Sequence, residues 1–181
     1  MAQTTHFTTD QLNLVNEISD MSEEFVLSFF GMRSEDWDGC RYDLKTQEFL
    51  SKKEKTDQAL AQVCKYECIP PKPLQKPEFE FYRICLQDRL IIRTAEERNE
   101  IIKLAPLLLY IITHELVHIT RFTKYAQRFH VRKEEKEQEE ARVHNITYQV
   151  LHPIADHKVK GLKHVLDGFK KHREDNIRID N

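Results

Sequence analysis

The apolar positions of this chain change period several times, and each change marks an element. Thr8 with Gln11 makes a capping box, and Leu14, Val15, Ile18, Met21, Phe25 and Phe29 recur at helical spacing up to Gly31. That pattern predicts an amphipathic helix ended by a glycine. Residues 34–42 are turn-like, and residues 44–50 and 57–66 read as further helix with a break over 51–56. Ile69-Pro70-Pro71-Lys72-Pro73-Leu74-Gln75-Lys76-Pro77 holds four prolines, which remove N–H donors and keep a chain extended. Residues 69–78 are therefore expected to connect two halves.

Beyond that connector the pattern turns β-like. Phe79-Glu80-Phe81-Tyr82-Arg83-Ile84-Cys85-Leu86 and Arg89-Leu90-Ile91-Ile92-Arg93 are rich in aromatic and β-branched residues and are separated only by Gln87-Asp88. They read as a hairpin. Thr94 with Glu97 forms a second capping box, opening a helix to about Ala105, and Pro106 either kinks it or starts the next helix anew. Residues 104–120 are the most apolar run of the chain. A long helix follows over 133–151, stopping before Pro153, and then a short amphipathic helix over 159–169 and a polar tail.

The expected fold class is α+β, mostly helical, with a small antiparallel sheet or hairpin packed on a central helix. A length of 181 residues with 40% hydrophobic content suits a single domain over 1–181. Within it, 1–68 is the N-terminal helical half, 69–78 the connector, 79–153 the hairpin and central helices, and 154–181 the C-terminal helix and tail. A net charge of −2, with both signs interspersed, gives no electrostatic reason to expect nucleic acid. The start MAQTTHFTTD lacks the basic and apolar parts of an export signal, so cytoplasmic residence is expected. No membrane span is expected either, because a crossing helix needs about 20 apolar residues and the run over 104–120 is shorter and interrupted by ionisable groups.

Those groups carry the chemistry. Between Lys103 and Arg121 the only residues that ionise near neutral pH are His114, Glu115 and His118, in the sequence His114-Glu115-Leu116-Val117-His118. Buried charges without partners cost several kcal/mol or more, so such a helix must satisfy them internally or open them to a functional cavity. Histidines four apart share one helical face about 5 to 6 Å apart and can aim a nitrogen each at one ion. Zn2+ is the expected cofactor. Glu115 lies beside that ion, placed to act as general base on a water that the zinc activates.

Two ligands are too few, since a catalytic zinc normally keeps three protein ligands and one open position. The helix over 133–151 is the expected donor, because Val143, Ile146, Thr147, Val150 and Leu151 mark its buried face. Glu140 and Glu139 both extend that stripe toward the N-terminal end; Glu140 is the expected third ligand, with Glu139 and His144 as alternatives. His144, four residues after Glu140, could instead orient its carboxylate. Lys136 would repel a metal, and Glu137 lies at the edge of the face.

A buried H-E-x-x-H helix, preceded by a hairpin and followed about twenty residues on by a helical glutamate, resembles the gluzincin metallopeptidases, especially the small minigluzincins. Glu140-Ala141 and a helix ending in Val150-Leu151-His152-Pro153 is loosely similar to ImmA/IrrE-type peptidases. The resemblance covers about residues 79–153. It implies a zincin-like fold, zinc held by His114, His118 and Glu140, and Glu115 as catalytic base. His144, Tyr148 and His130 are candidates to stabilise the transition state. The expected function is a zinc metallopeptidase, acting on a peptide or protein added to the edge of the hairpin over 79–93. Two alternatives remain, a non-catalytic regulatory protein stabilised by its metal and a helical di-metal carboxylate protein using Glu115, His118 and Glu137 or Glu140.

The remaining candidates read as structural. Cys64 and Cys68 are four apart on an expected helix and, with Cys40 and Cys85, lack the tight spacing of structural zinc sites, so they read as reduced buried thiols. His152, His157, His164 and His172 read as surface histidines.

Overall fold

In the computed structural model, which describes residues 6–39, 41–68, 79–97, 103–125, 133–155 and 159–179, the first helix forms as its ends dictate. α1 (Thr9–Phe30) is opened by Thr8, whose hydroxyl accepts from the Gln11 backbone while the Gln11 side chain accepts from the Thr8 N–H. Gly31 closes it at φ 61°, a left-handed conformation that a Cβ would strain. The buried stripe is Val15, Ile18, Ser22 and Val26. Its polar member is satisfied, because the Ser22 hydroxyl donates to the Ile18 carbonyl at 2.7 Å. Phe29, expected on the stripe, is exposed and stands edge-on to Phe30.

Of the two segments expected as helix before residue 69, residues 44–50 are the end of a strand and a short 3-10 turn, and residues 57–66 run into a strand at Ala61. After a 3-10 segment (Ser34–Gly39) come β1 (Arg41–Lys45), a short 3-10 turn (Gln47–Phe49) and β2 (Ala61–Cys68). β3 (Phe79–Leu86) lies between them, parallel to β1 and antiparallel to β2. Alternate β3 residues Tyr82, Ile84 and Leu86 are buried. Pairing with this distant strand overrides the weak helical preference of the alanine, glutamine and lysine in β2. Residues 69–78 lie outside the described residues, and the strands on either side of them, β2 and β3, are paired neighbours of one sheet.

Only the first half of the expected hairpin is a strand. The second run is α2 (Asp88–Glu97), in which Ile91 and Ile92 are buried. Gln87-Asp88 offers no glycine or asparagine for the positive φ angles that a two-residue hairpin turn needs. Instead the Gln87 carbonyl accepts from the N–H groups of Leu90 and Ile91, which begins a helix. The buried Asp88 carboxylate accepts from the backbone of Gln47 at 2.9 Å and of Phe7 at 3.3 Å, tying two distant segments to this turn. Thr94 and Glu97 thus lie inside α2 rather than at the start of a new helix.

α3 (Leu104–Lys124) starts anew, with Pro106 in its first turn, where a missing N–H removes no intrahelical bond. α4 (Lys133–Leu151) has the expected bounds, whereas α5 (Leu162–Ile179) continues as helix through most of the expected polar tail. α3 packs against α1, α2, α4, α5, β2 and β3. Being surrounded, it is apolar around most of its circumference, and Leu107, Leu108, Leu109, Ile112, Leu116 and Ile119 are fully buried. Each such side chain contributes about 1.5–3 kcal/mol. No helix among the described residues is long and apolar enough to cross a membrane. The fold is α+β, mostly helical, with a small mixed sheet.

Candidate metal centre

α3 meets α4 near the ionisable groups of the apolar run, of which His114 and Glu115 are buried. The Nε2 of His114 lies 2.9 Å from Oε1 of Glu140, and the Nε2 of His118 lies 3.1 Å from its Oε2. Each ring thus takes a separate oxygen of one carboxylate. Val143, Thr147, Val150 and Leu151 are buried on α4. Next to them Glu139 is buried too, but it turns to Arg121 of α3, which donates to both of its oxygens, and to Arg142 at 3.4 Å. The two adjacent glutamates divide the work. Glu139 joins the helices, and Glu140 faces the histidines.

The electrostatics follow from these contacts. Burial acts to raise the Glu140 carboxyl, but hydrogen bonds from His114 and His118 outweigh it and hold the group far below the usual carboxylate range. Burial disfavours the charged His118 ring, yet the hydrogen bond to Glu140 and the nearby Glu115 raise its affinity for a proton. Glu115 is pushed up by burial, more than the two histidines pull it down. No hydrogen bond or ion pair to a described residue holds its carboxylate, which lines a cleft.

The donor set fits a metal ion. One ligand atom from each of His114, His118 and Glu140 lies within 4.8 Å of the other two. Ligands about 2.0–2.1 Å from a tetrahedral ion lie roughly 3.4 Å apart, so binding one would lengthen the 2.9 and 3.1 Å contacts at Glu140 and draw together any wider pair among the three. Two imidazoles and a carboxylate suit zinc and several other first-row divalent ions. Among the described residues neither Nδ1 of His114 nor of His118 has a hydrogen-bond partner. His144 has its Nε2 3.4 Å from Oε1 of Glu140, and its Nδ1 lies 2.5 Å from the Tyr110 hydroxyl. It touches the carboxylate while standing outside the group of three.

A cleft of about 590 Å³ opens at this group. The histidines, Glu115 and Glu140 line one side; Ala61, Gln62 and Val63 of β2 and the loop before it line the other. Because β3 is central, paired on both sides, it cannot offer the edge expected of it. β2 is the edge strand at the cleft.

Sequence reasoning missed what holds the loop wall. Glu54 accepts from Tyr66 at 2.5 Å, the Ser51 N–H at 2.7 Å and Arg83 at 3.0 Å. Its carbonyl accepts from Gln62 and Gln87, and the Gln87 side-chain oxygen accepts from the Thr56 N–H. Nothing in the sequence marks Glu54, which stands among Lys52, Lys53 and Lys55 like a member of a solvated run.

Other candidates lie elsewhere. Tyr148 rests against His152 and under Lys170 and is not among the cleft-lining residues. His130 lies outside the described residues, as do Cys40 and His157. Cys64 and Cys85 are free thiols on neighbouring strands, their sulfurs 3.8 Å apart, and Cys68 is on β2 rather than on a helix. His152 and His164 are exposed. Comparison with protein-family models, curated proteins and solved structures finds no match.

Proposed function

We propose that the chain is a zinc-dependent peptide hydrolase of the gluzincin type, with a zincin-like core formed by the sheet, α3 and α4. The observation that carries this reading is the convergence of His114, His118 and Glu140 beside an unpaired Glu115 in one cleft. When bound, the ion supplies Lewis acidity, lowering the pKa of a water and polarising a carbonyl.

The chain's own residues do the rest. His114, His118 and Glu140 would hold the ion, and His144 steadies the Glu140 carboxylate. Glu115 is buried, so its carboxylate is held at a higher proton affinity than an exposed one. That suits a group which takes a proton from water and returns it to a leaving amine. Among the described residues the outer edge of β2 pairs with no other strand, so an extended peptide can add there as a further strand. Arg121 and Glu139 fix α4 against α3, and so fix the distance between the histidines and Glu140.

The test is hydrolysis of a quenched-fluorescent peptide library by zinc-loaded protein, with Glu115→Gln as the comparison. Cleavage that needs the metal and falls at least about a hundredfold in Glu115→Gln is expected, the lower range for loss of a general base. Equal cleavage by the variant would refute the assignment of Glu115.

A further inference from the structure

The cleft contains a cation that metal binding does not use. Lys136 lines it from α4, one helical turn before Glu140, a rise of about 6 Å along the helix axis. The first turns of α4 are dense with glutamate, and neighbouring cations find partners there. Lys133 pairs with Glu137, and Arg142 and Arg121 pair with Glu139. Lys136 does not. The carboxylates three and four residues on, which a helical lysine would ordinarily reach, are Glu139 and Glu140. Glu139 is committed to the two arginines and Glu140 to the two histidines. Among the described residues no carboxylate lies within ion-pair distance of the Lys136 ammonium.

We propose that Lys136, one helical turn of α4 before Glu140, is the subsite for a carboxylate group of the substrate. This rests on the peptide-hydrolase reading above and names its substrate class. The distribution of charge in the cleft gives the orientation. Glu115 lines the same cleft and repels a carboxylate, whereas Lys136 attracts one, so an acidic group is directed away from the base and toward Lys136. Two sources offer this chemistry, a free peptide C-terminus and an aspartate or glutamate side chain.

Because no substrate is identified, the test uses a chelating probe anchored at the metal. Succinic acid monohydroxamate and its neutral succinamide counterpart differ only in a carboxylate against an amide on the far arm. Their dissociation constants are measured on zinc-loaded native protein and on Lys136→Gln, Lys136→Arg and Lys136→Glu. The carboxylate form is expected to bind native protein up to about fivefold more tightly, the range for an exposed ion pair. Lys136→Arg keeps that preference, Lys136→Gln removes it and Lys136→Glu inverts it. Equal affinity of the two probes for native protein, or a preference that survives in Lys136→Gln, would overturn the subsite while leaving the metal reading intact. Failure of both probes to bind zinc-loaded protein would overturn the metal reading and the subsite together. Cleavage of peptides ending in a free carboxylate or an amide, with glutamate or glutamine after the scissile bond, then separates the two sources.

Discussion

The hydroxyl of Tyr110 lies 2.5 Å from Nδ1 of His144, although the two residues stand on different helices. Tyr110 is itself stacked on Phe169 of α5, ring centres 4.1 Å apart. The far side of the His144 ring faces Glu140 at 3.4 Å. The C-terminal helix therefore supports the Glu140 carboxylate through two side chains. His144→Ala is expected to weaken zinc binding roughly tenfold, the lower range for loss of a partner that orients a ligand. Tyr110→Phe should weaken it less but in the same direction. Calorimetric zinc titration checks both, and unchanged affinity in His144→Ala would remove its orienting role.

Glu139 and Arg121 form a buried pair beside the site. Removing one partner leaves the other charge buried alone, so Glu139→Ala is expected to lower the unfolding free energy by about 3 kcal/mol in urea denaturation. Replacing both by leucine and methionine should restore much of that loss. Glu139→Ala that stays folded should still bind zinc. Loss of metal from folded Glu139→Ala would make this residue, rather than Glu140, the third ligand.

Glu54 gives the fold an acid-sensitive clamp. Hydrogen bonds from Tyr66, Ser51 and Arg83 hold its carboxyl at about 2, against an ordinary 4.5. A depressed carboxyl contributes stability that is fully present above its unfolded value and is lost as pH falls toward the folded one. The native protein should therefore lose stability between pH 4.5 and about 2, and Glu54→Gln should lose less over that interval. Thermal melts across this range supply the comparison. Identical slopes for the two proteins would show that the clamp does not act on folding.

What could be read from the sequence was local. The box at Thr8 and Gln11, the glycine end of α1, the bounds of α4 and the spacing of His114 and His118 each depend on residues a turn or two apart. The strands were hidden because their reason is distant. Ala61–Cys68 becomes a strand only by pairing with Phe79–Leu86 across a segment that suggested separation. A short apolar run such as Leu90-Ile91-Ile92 does not reveal its period, and the turn at Gln87 decided it for helix.

The site divided in the same way. His114 and His118 are marked by their spacing, whereas the apolar stripe of α4 points to Glu139 and Glu140 alike, and it is Glu139 that is buried on it. The separate duties of Glu139 and Glu140 depend on Arg121, which lies on another helix. The hold of Glu54 and Gln87 on the cleft wall likewise joins segments far apart in the chain.

The central claim is that His114, His118 and Glu140 hold one divalent ion, and zinc titration of metal-stripped protein tests it most directly. One zinc per chain in the native protein is expected, lost in His118→Ala and in Glu140→Ala while both variants keep their helical circular dichroism. A native protein that binds no zinc, or a folded Glu140→Ala variant that binds it with native affinity, would contradict the account.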